Sequence, residues 1–204
     1  MINIKTIKPS VQILTPENEI KSFPKRIEKA GRICYKSEYK IHENSADEFV
    51  KNIIKRGHES VLEHCSISCL FTISRACSHQ LVRHRIASFS QESQRYVNYN
   101  KKNEIRIIAP INVLNNGMLT EQFISSVKNS VKSYELLLNN KTKPEDARYV
   151  LPNCVASDIV MTANIRELRH IIKIRTDSNA QWEIREVFNN LNCELMRIIP
   201  SLFV

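Results

Sequence analysis

The densest polar chemistry in the chain is Arg83-His84-Arg85-Ile86-Ala87-Ser88-Phe89-Ser90-Gln91-Glu92-Ser93-Gln94-Arg95-Tyr96. These 14 residues hold three arginines, one histidine, three serines, two glutamines and a tyrosine. Guanidinium forks match phosphate and carboxylate oxygens, and hydroxyls and amides add short donors, so the segment suits a phosphorylated ligand. The plain alternative is a solvated basic loop or a nucleic-acid patch. Against it, the segment follows a strand-and-helix unit, and loops placed by a rigid scaffold often carry function. His84 stands between two arginines, whose like charge disfavours its protonation. It is therefore expected to stay neutral and to act as a hydrogen-bonding contact rather than a general acid.

The rest of the chain narrows the choice of ligand. Its 30 Lys+Arg against 21 Asp+Glu give a net charge of +9, which favours anionic partners. Only three glycines occur, Gly31, Gly57 and Gly117. No G-x-G-x-x-G fingerprint and no phosphate loop can be built from them, so a bound nucleotide must be held by side chains. Aromatic residues make up 7% and do not interleave with basic ones, which counts against a nucleic-acid binder. Six cysteines without a C-x-x-C pair, and no signal peptide, point to reduced thiols in the cytoplasm. Cys65 and Cys69 fall on the apolar parity of a strand and read as small core hydrophobes. A zinc site from Cys65, Cys69 or Cys77 with His79 is the weaker alternative. No apolar run is long enough for a membrane span.

The elements that must position this segment follow from periodicity. A strand is expected within residues 2–14, and a helix from Pro24 to about Cys34. Ser45 and Glu48 form a capping box for a helix whose stripe is Phe49, Val50, Ile53 and Ile54, with Gly57 closing it. Within residues 65–75 the odd positions 65 to 73 are apolar and the even ones polar except Leu70, which predicts a half-buried strand. A helix follows from about Ala76 to Arg83 or beyond, and the polar stretch 87–103 then breaks the periodicity. Leu119, Phe123, Ile124, Val127, Val131 and Tyr134 mark a long amphipathic helix. A second strand is expected over 150–160, a helix over Asn164 to Arg175, and a last helix after a Ser178/Gln181 capping box. Trp182 is expected in the core, and His64 is read as structural. The sum is an α/β (α+β) single domain over 1–204, with one mixed sheet packed by several helices.

Four blocks of sequence, in order, resemble one family. Arg83-His84-Arg85, seven residues, then Ser93 is similar to the R-H-R-x7-S signature of the flavin-dependent thymidylate synthases. Gly57-His58-Glu59-Ser60-Val61-Leu62-Glu63-His64 resembles that family's G-H-x-S/T-x-x-E-H segment, and Gln80 stands where the family has a glutamine. Ala147-Arg148-Tyr149-Val150-Leu151-Pro152 resembles its A-R-x-x-L-P segment. Asn164 to Leu168 and Arg175 to Ile184 complete the match, which covers about 57–185 with gaps.

The resemblance implies a ThyX-like fold and the conversion of dUMP to dTMP. Methylenetetrahydrofolate would be the carbon donor, and NAD(P)H acting through FAD the reductant. It implies a homotetramer with active sites between subunits. Ser60, Arg83, His84, Arg85 and Gln91 resemble FAD-contacting positions, as do Asn164, Arg166 and His170 from another subunit. Gln80, Arg83, Gln91, Ser93, Gln94, Arg95, Arg148 and Arg175 resemble dUMP-contacting positions. Arg175 would be the catalytic group, stabilising negative charge on the uracil ring. His58 and Tyr96 resemble active-site neighbours, and no cysteine is expected as nucleophile. Departures are Gln91 in place of a glutamate found in some members and Ser90 in place of asparagine; Cys34 and His170 also stand where other polar residues occur. The rival readings are a basic nucleic-acid binder without flavin, and a related flavoprotein that transfers no methyl group.

Overall fold

The computed structural model describes residues 2–203. Strands β1 (Asn3–Thr6) and β2 (Ser10–Ile13) precede helices α1 (Glu17–Ile33) and α2 (Ser45–Lys55). A 3-10 turn, Glu59–His64, leads to β3 (Ser66–Ser74) and α3 (Arg75–Leu81). Then come β4 (Ser88–Gln91), the short α4 (Tyr99–Lys102), β5 (Glu104–Ile107), α5 (Ile111–Leu114) and the long α6 (Gly117–Asn139). The chain continues through α7 (Pro144–Ala147), β6 (Ala156–Asn164), α8 (Ile165–Arg175) and α9 (Trp182–Ile198).

The class is α/β as expected, but two sheets form rather than one. β1 pairs in parallel with β5, with Ile4 opposite Ile105, and the other sheet has the order β2-β3-β6-β4. Alternation drives the central strand: Ile67, Cys69, Phe71 and Ile73 are fully buried, which sends Ser68 and Thr72 to the other side. There Ser68 meets Thr162 at 2.8 Å and Thr72 meets Asp158 at 2.7 Å. Numbers rise on β3 as they fall on β6, so the two strands are antiparallel.

The chain clusters into two compact units. One comprises the chain up to Ser10, with Thr72–Leu81 and Ser90–Ile159. Its core joins Ile105 and Ile107 of β5 to Val127, Val131 and Tyr134 of α6. The other comprises Val11–Phe71, Val82–Phe89 and the chain from Val160 onward. Its core holds Ile20, Phe23 and Ile27 of α1, and Phe71 against Phe188 of α9 with ring centroids 5.3 Å apart. Each such side chain contributes about 1.5–3 kcal/mol on burial. No helix among the described residues is long and apolar enough to cross a membrane.

Several local expectations are corrected. Helix α1 begins at Glu17, not Pro24, and carries the buried Pro24 inside it. Burial of Ile20, Phe23 and Ile27 on one face outweighs the hydrogen bond that proline removes. Ser45 does not cap α2. It is the first helical residue, and its hydroxyl donates to Glu28 Oε2 at 2.8 Å, because the buried carboxylate of Glu28 requires donors. Arg32 supplies the others. Gly57 does end this helix, at φ +72°. Ser178 does not cap α9 either: Gln181 is the cap, and its Oε1 accepts from the N–H groups of Glu183 and Ile184. Helix α3 runs Arg75–Leu81, ending short of Arg83. The second strand is β6, starting at Ala156 rather than near Val150, and the stretch 87–103 contains β4 and α4. Trp182 is half-buried, not in the core.

Candidate active site

In the unit holding α8, the site is built on that helix. Asn164 caps it by accepting from Glu167 N–H at 2.9 Å, which commits the side-chain oxygen and leaves the amide donors for a ligand. Asn164, Arg166 and His170 line one cavity of about 640 Å³, together with Glu63, Arg169 and Lys173. Three of the predicted cofactor residues are thus brought together. Arg166 meets Glu63 at 2.7 Å, both half-exposed, and Arg169 lies 3.8 Å from Glu59. An exposed pair such as Arg166–Glu63 is weakly held. A second cavity of about 1000 Å³ is lined by Ser60, His58, Tyr35, Tyr39, Arg56 and Arg166. Ser60 therefore shares a cavity with Arg166. Arg83 and Arg85 are exposed on the segment between α3 and β4.

His84 is the buried member of that segment, 9% exposed. Arg175, at the end of α8, donates from Nε to His84 Nε2 at 2.9 Å. Burial first, then the positive charges of Arg175 and His170, push the imidazole down to about 4. His84 is neutral as expected, but for a different reason. Desolvation and an arginine 91 residues away do it, not the flanking Arg83 and Arg85. The sequence reading missed Glu167, whose carboxylate is buried 3.9 Å from His84 Nδ1. Its contact with His84 joins two elements far apart in sequence, which spacing alone does not show.

In the other unit, Gln91 ends β4. Its amide nitrogen donates to Ser78 Oγ at 2.9 Å and to Ser157 Oγ at 3.1 Å. Neither serine was singled out from sequence. Ser93 Oγ accepts from the N–H of Arg95 at 3.3 Å, and its carbonyl accepts from Tyr96 and Val97. Arg95 lies 3.4 Å from Glu145 and 5.5 Å from the exposed Tyr96 ring. Arg148 donates to the Glu145 carbonyl at 3.1 Å, so Glu145 joins these two predicted residues. Gln94 is half-buried with its side chain beside that of Tyr99, and Gln80 is half-buried on α3. Arg106 donates to Asp158 at 2.8 Å and lies 3.6 Å from Glu92, pinning the residue between Gln91 and Ser93. Hydrogen bonding to Arg106 and Thr72 holds the Asp158 carboxyl below its ordinary range despite partial burial.

Of the predicted cofactor set, Ser60, Arg83, His84, Arg85, Asn164, Arg166 and His170 fall in one unit and Gln91 in the other. Of the predicted substrate set, Gln80, Gln91, Ser93, Gln94, Arg95 and Arg148 fall in the first unit, and Arg83 and Arg175 in the second.

The family described as thymidylate synthase complementing protein matches residues 18–201. A flavin-dependent thymidylate synthase of Pyrococcus abyssi is 43% identical over 152 residues, 72% of this chain and 62% of that protein. One from Geobacter sulfurreducens is 39% identical over 85% of this chain and 78% of its own. One from Clostridium tetani is 33% identical over 98% and 87%. The chain belongs to this family, the flavin-dependent thymidylate synthases. It spans 62% of the length of the Pyrococcus abyssi and Pyrococcus furiosus relatives that it matches. The fold is shared with a UMP/dUMP methylase, PolB of Streptomyces cacaoi, bound with 5-Br dUMP: TM-score 0.77, 20% identity, 97% of this chain and 94% of that one.

Proposed function

We propose that the chain, acting as one catalytic domain over 1–204, converts dUMP to dTMP by reductive methylation. Methylenetetrahydrofolate is the carbon donor and NAD(P)H, through FAD, the reductant. The observation that carries this reading is the family match over 18–201, on a chain that keeps R-H-R-x7-S.

The residues present fit a phosphorylated cofactor. The cavity beside α8 offers the guanidinium of Arg166, the Asn164 amide donors and the cation of Lys173, with no backbone nest required. Asn164, Arg166 and His170, with Ser60, Arg83, His84, Arg85 and Gln91, would hold FAD. When bound, it supplies the redox step. The chain's own residues bind and polarise. Gln80, Arg83, Gln91, Ser93, Gln94, Arg95 and Arg148 hold dUMP by phosphate, ribose and base contacts, and Arg175 stabilises the negative charge that develops on the uracil ring. The working form is a cytoplasmic homotetramer with its sites between subunits, and neither nucleic acid nor membrane is a partner.

The purified protein is expected to carry one non-covalent FAD per chain. Absorbance of the acid-released supernatant checks it. A colourless protein that also fails to take up added FAD overturns the assignment.

No cysteine is expected to serve as nucleophile, since thiolate is the reactive form. Burial pushes the Cys69 thiol up to about 12 and the Cys154 thiol up to about 11, and the Cys65 thiol is also raised. Folded Cys→Ala variants should keep turnover, although buried ones lose stability through packing. Loss of turnover in one folded variant, with a covalent dUMP adduct in the wild type by mass spectrometry, shows the opposite.

A further inference from the structure

Arg175 closes α8 and Glu167 opens it, eight residues and about 12 Å apart along the helix axis. His84, from the segment after α3, lies between them. Its Nε2 accepts the Arg175 Nε proton at 2.9 Å, so that nitrogen carries no hydrogen. The ring proton of the neutral imidazole is therefore on Nδ1, the atom that faces Glu167 Oε1 at 3.9 Å. That distance is a charge–dipole contact rather than a direct hydrogen bond. It still sets the tautomer, because a carboxylate favours an N–H over a lone pair pointing at it. The alternative tautomer would turn an N–H toward the guanidinium, which has only donors. Glu167 is 7% exposed, and its own N–H is tied to the Asn164 cap, which anchors the start of α8.

We infer that Glu167 is a positioning residue: through the tautomer of His84 it holds the Arg175 guanidinium in one orientation. His84 is then a support for Arg175 in addition to any cofactor contact. The functional value of that orientation rests on the role proposed above for Arg175. A guanidinium turned by a fraction of its reach no longer points at the developing charge, and residues that orient the acting group commonly matter about ten- to hundred-fold.

The test has one arm that needs no turnover. In the 15N-labelled holoenzyme at neutral pH, His84 should show a protonated Nδ1 and a bare Nε2, and Glu167→Leu should shift it toward a tautomer mixture. In the second arm, Glu167→Leu should lower kcat about tenfold with KM for dUMP changed less than about twofold. The same change placed on Arg175→Ala should cost nothing further, since residues acting through one another are not additive. Should Glu167→Leu not fold, Glu167→Gln keeps the shape, removes the charge and is read in the same way. A wild-type His84 protonated on Nε2, or both variants unchanged in tautomer and kcat, overturns the inference. The tautomer shift in a chain that methylates no dUMP in any form supports the contact and refutes the enzymatic reading instead.

Discussion

Arg175→Ala is expected to slow methylation of dUMP about a hundred- to a thousand-fold while leaving flavin content intact. A guanidinium cannot accept a proton at working pH, so Arg175 acts by charge and by its rigid donors. Such a donor is worth most where charge develops during reaction, and removing one well-placed group typically costs about 2.7–4 kcal/mol. The structure adds that the guanidinium is pre-oriented: its Nε is tied to His84, whose neutrality is enforced by burial and by Arg175 itself. Ser93 is the contrast. Its Oγ accepts the N–H of Arg95, a turn contact, and among the described residues no hydrogen bond ties it to a base that could make it a nucleophile. Ser93→Ala should raise KM for dUMP and leave measurable turnover. Single-turnover kinetics of both variants at saturating dUMP decide the matter. A wholly inactive Ser93→Ala beside a nearly normal Arg175→Ala reverses the two roles.

What could be read from the chain before the structure depended on length and locality. The nine residues of β3 alternate apolar and polar except at Leu70, and α6, α8 and α9 each carry a regular apolar stripe, so these elements were legible. Strands β4 and β5 have four residues each, too few to show a period, and β5 forms because β1 supplies its partner from the other end of the chain. Ser45 failed as a cap because the demand came from Glu28, 17 residues earlier and buried by tertiary packing. The site followed the same division. The R-H-R segment was visible as composition. That His84 would meet Arg175, 91 residues on, was not, because spacing carries no information about a contact made by two separate elements. Nor could it show that Gln91 would meet Ser78 and Ser157.

That last contact makes Gln91→Glu a costly change here, although it would install the residue found in some members of the family. Ser78 Oγ donates its single proton to the carbonyl of Arg75 at 3.0 Å, so it offers only lone pairs toward Gln91. The amide of Gln91 fills that demand and also reaches Ser157, and both serines are 1% exposed. With both amide hydrogens engaged, the carbonyl oxygen remains to accept from a donor on the ligand. A carboxylate would set its own lone pairs against those of the buried Ser78, in a half-buried position. A buried group left without its partner costs about 1–3 kcal/mol, and more when charged. For a chain of this size the melting temperature should fall by about 2–12 °C. The sign with pH is fixed by the same contact. Partial burial against the Ser78 lone pairs, with the Ser157 hydroxyl the one neighbouring group able to turn and donate, raises the folded-state pKa of the new carboxyl above its unfolded value, so the folded variant binds more protons. Its deficit relative to wild type should therefore be greatest at and above neutrality and shrink as pH falls through that raised pKa. Adding Ser78→Ala removes the opposed lone pairs, and the double variant should recover part of the loss, a non-additivity that thermal melts at two pH values will show. A Gln91→Glu protein as stable as wild type at neutral pH, with no pH dependence in the difference, would mean that Ser78 turns freely and that the pairing is not matched to an amide.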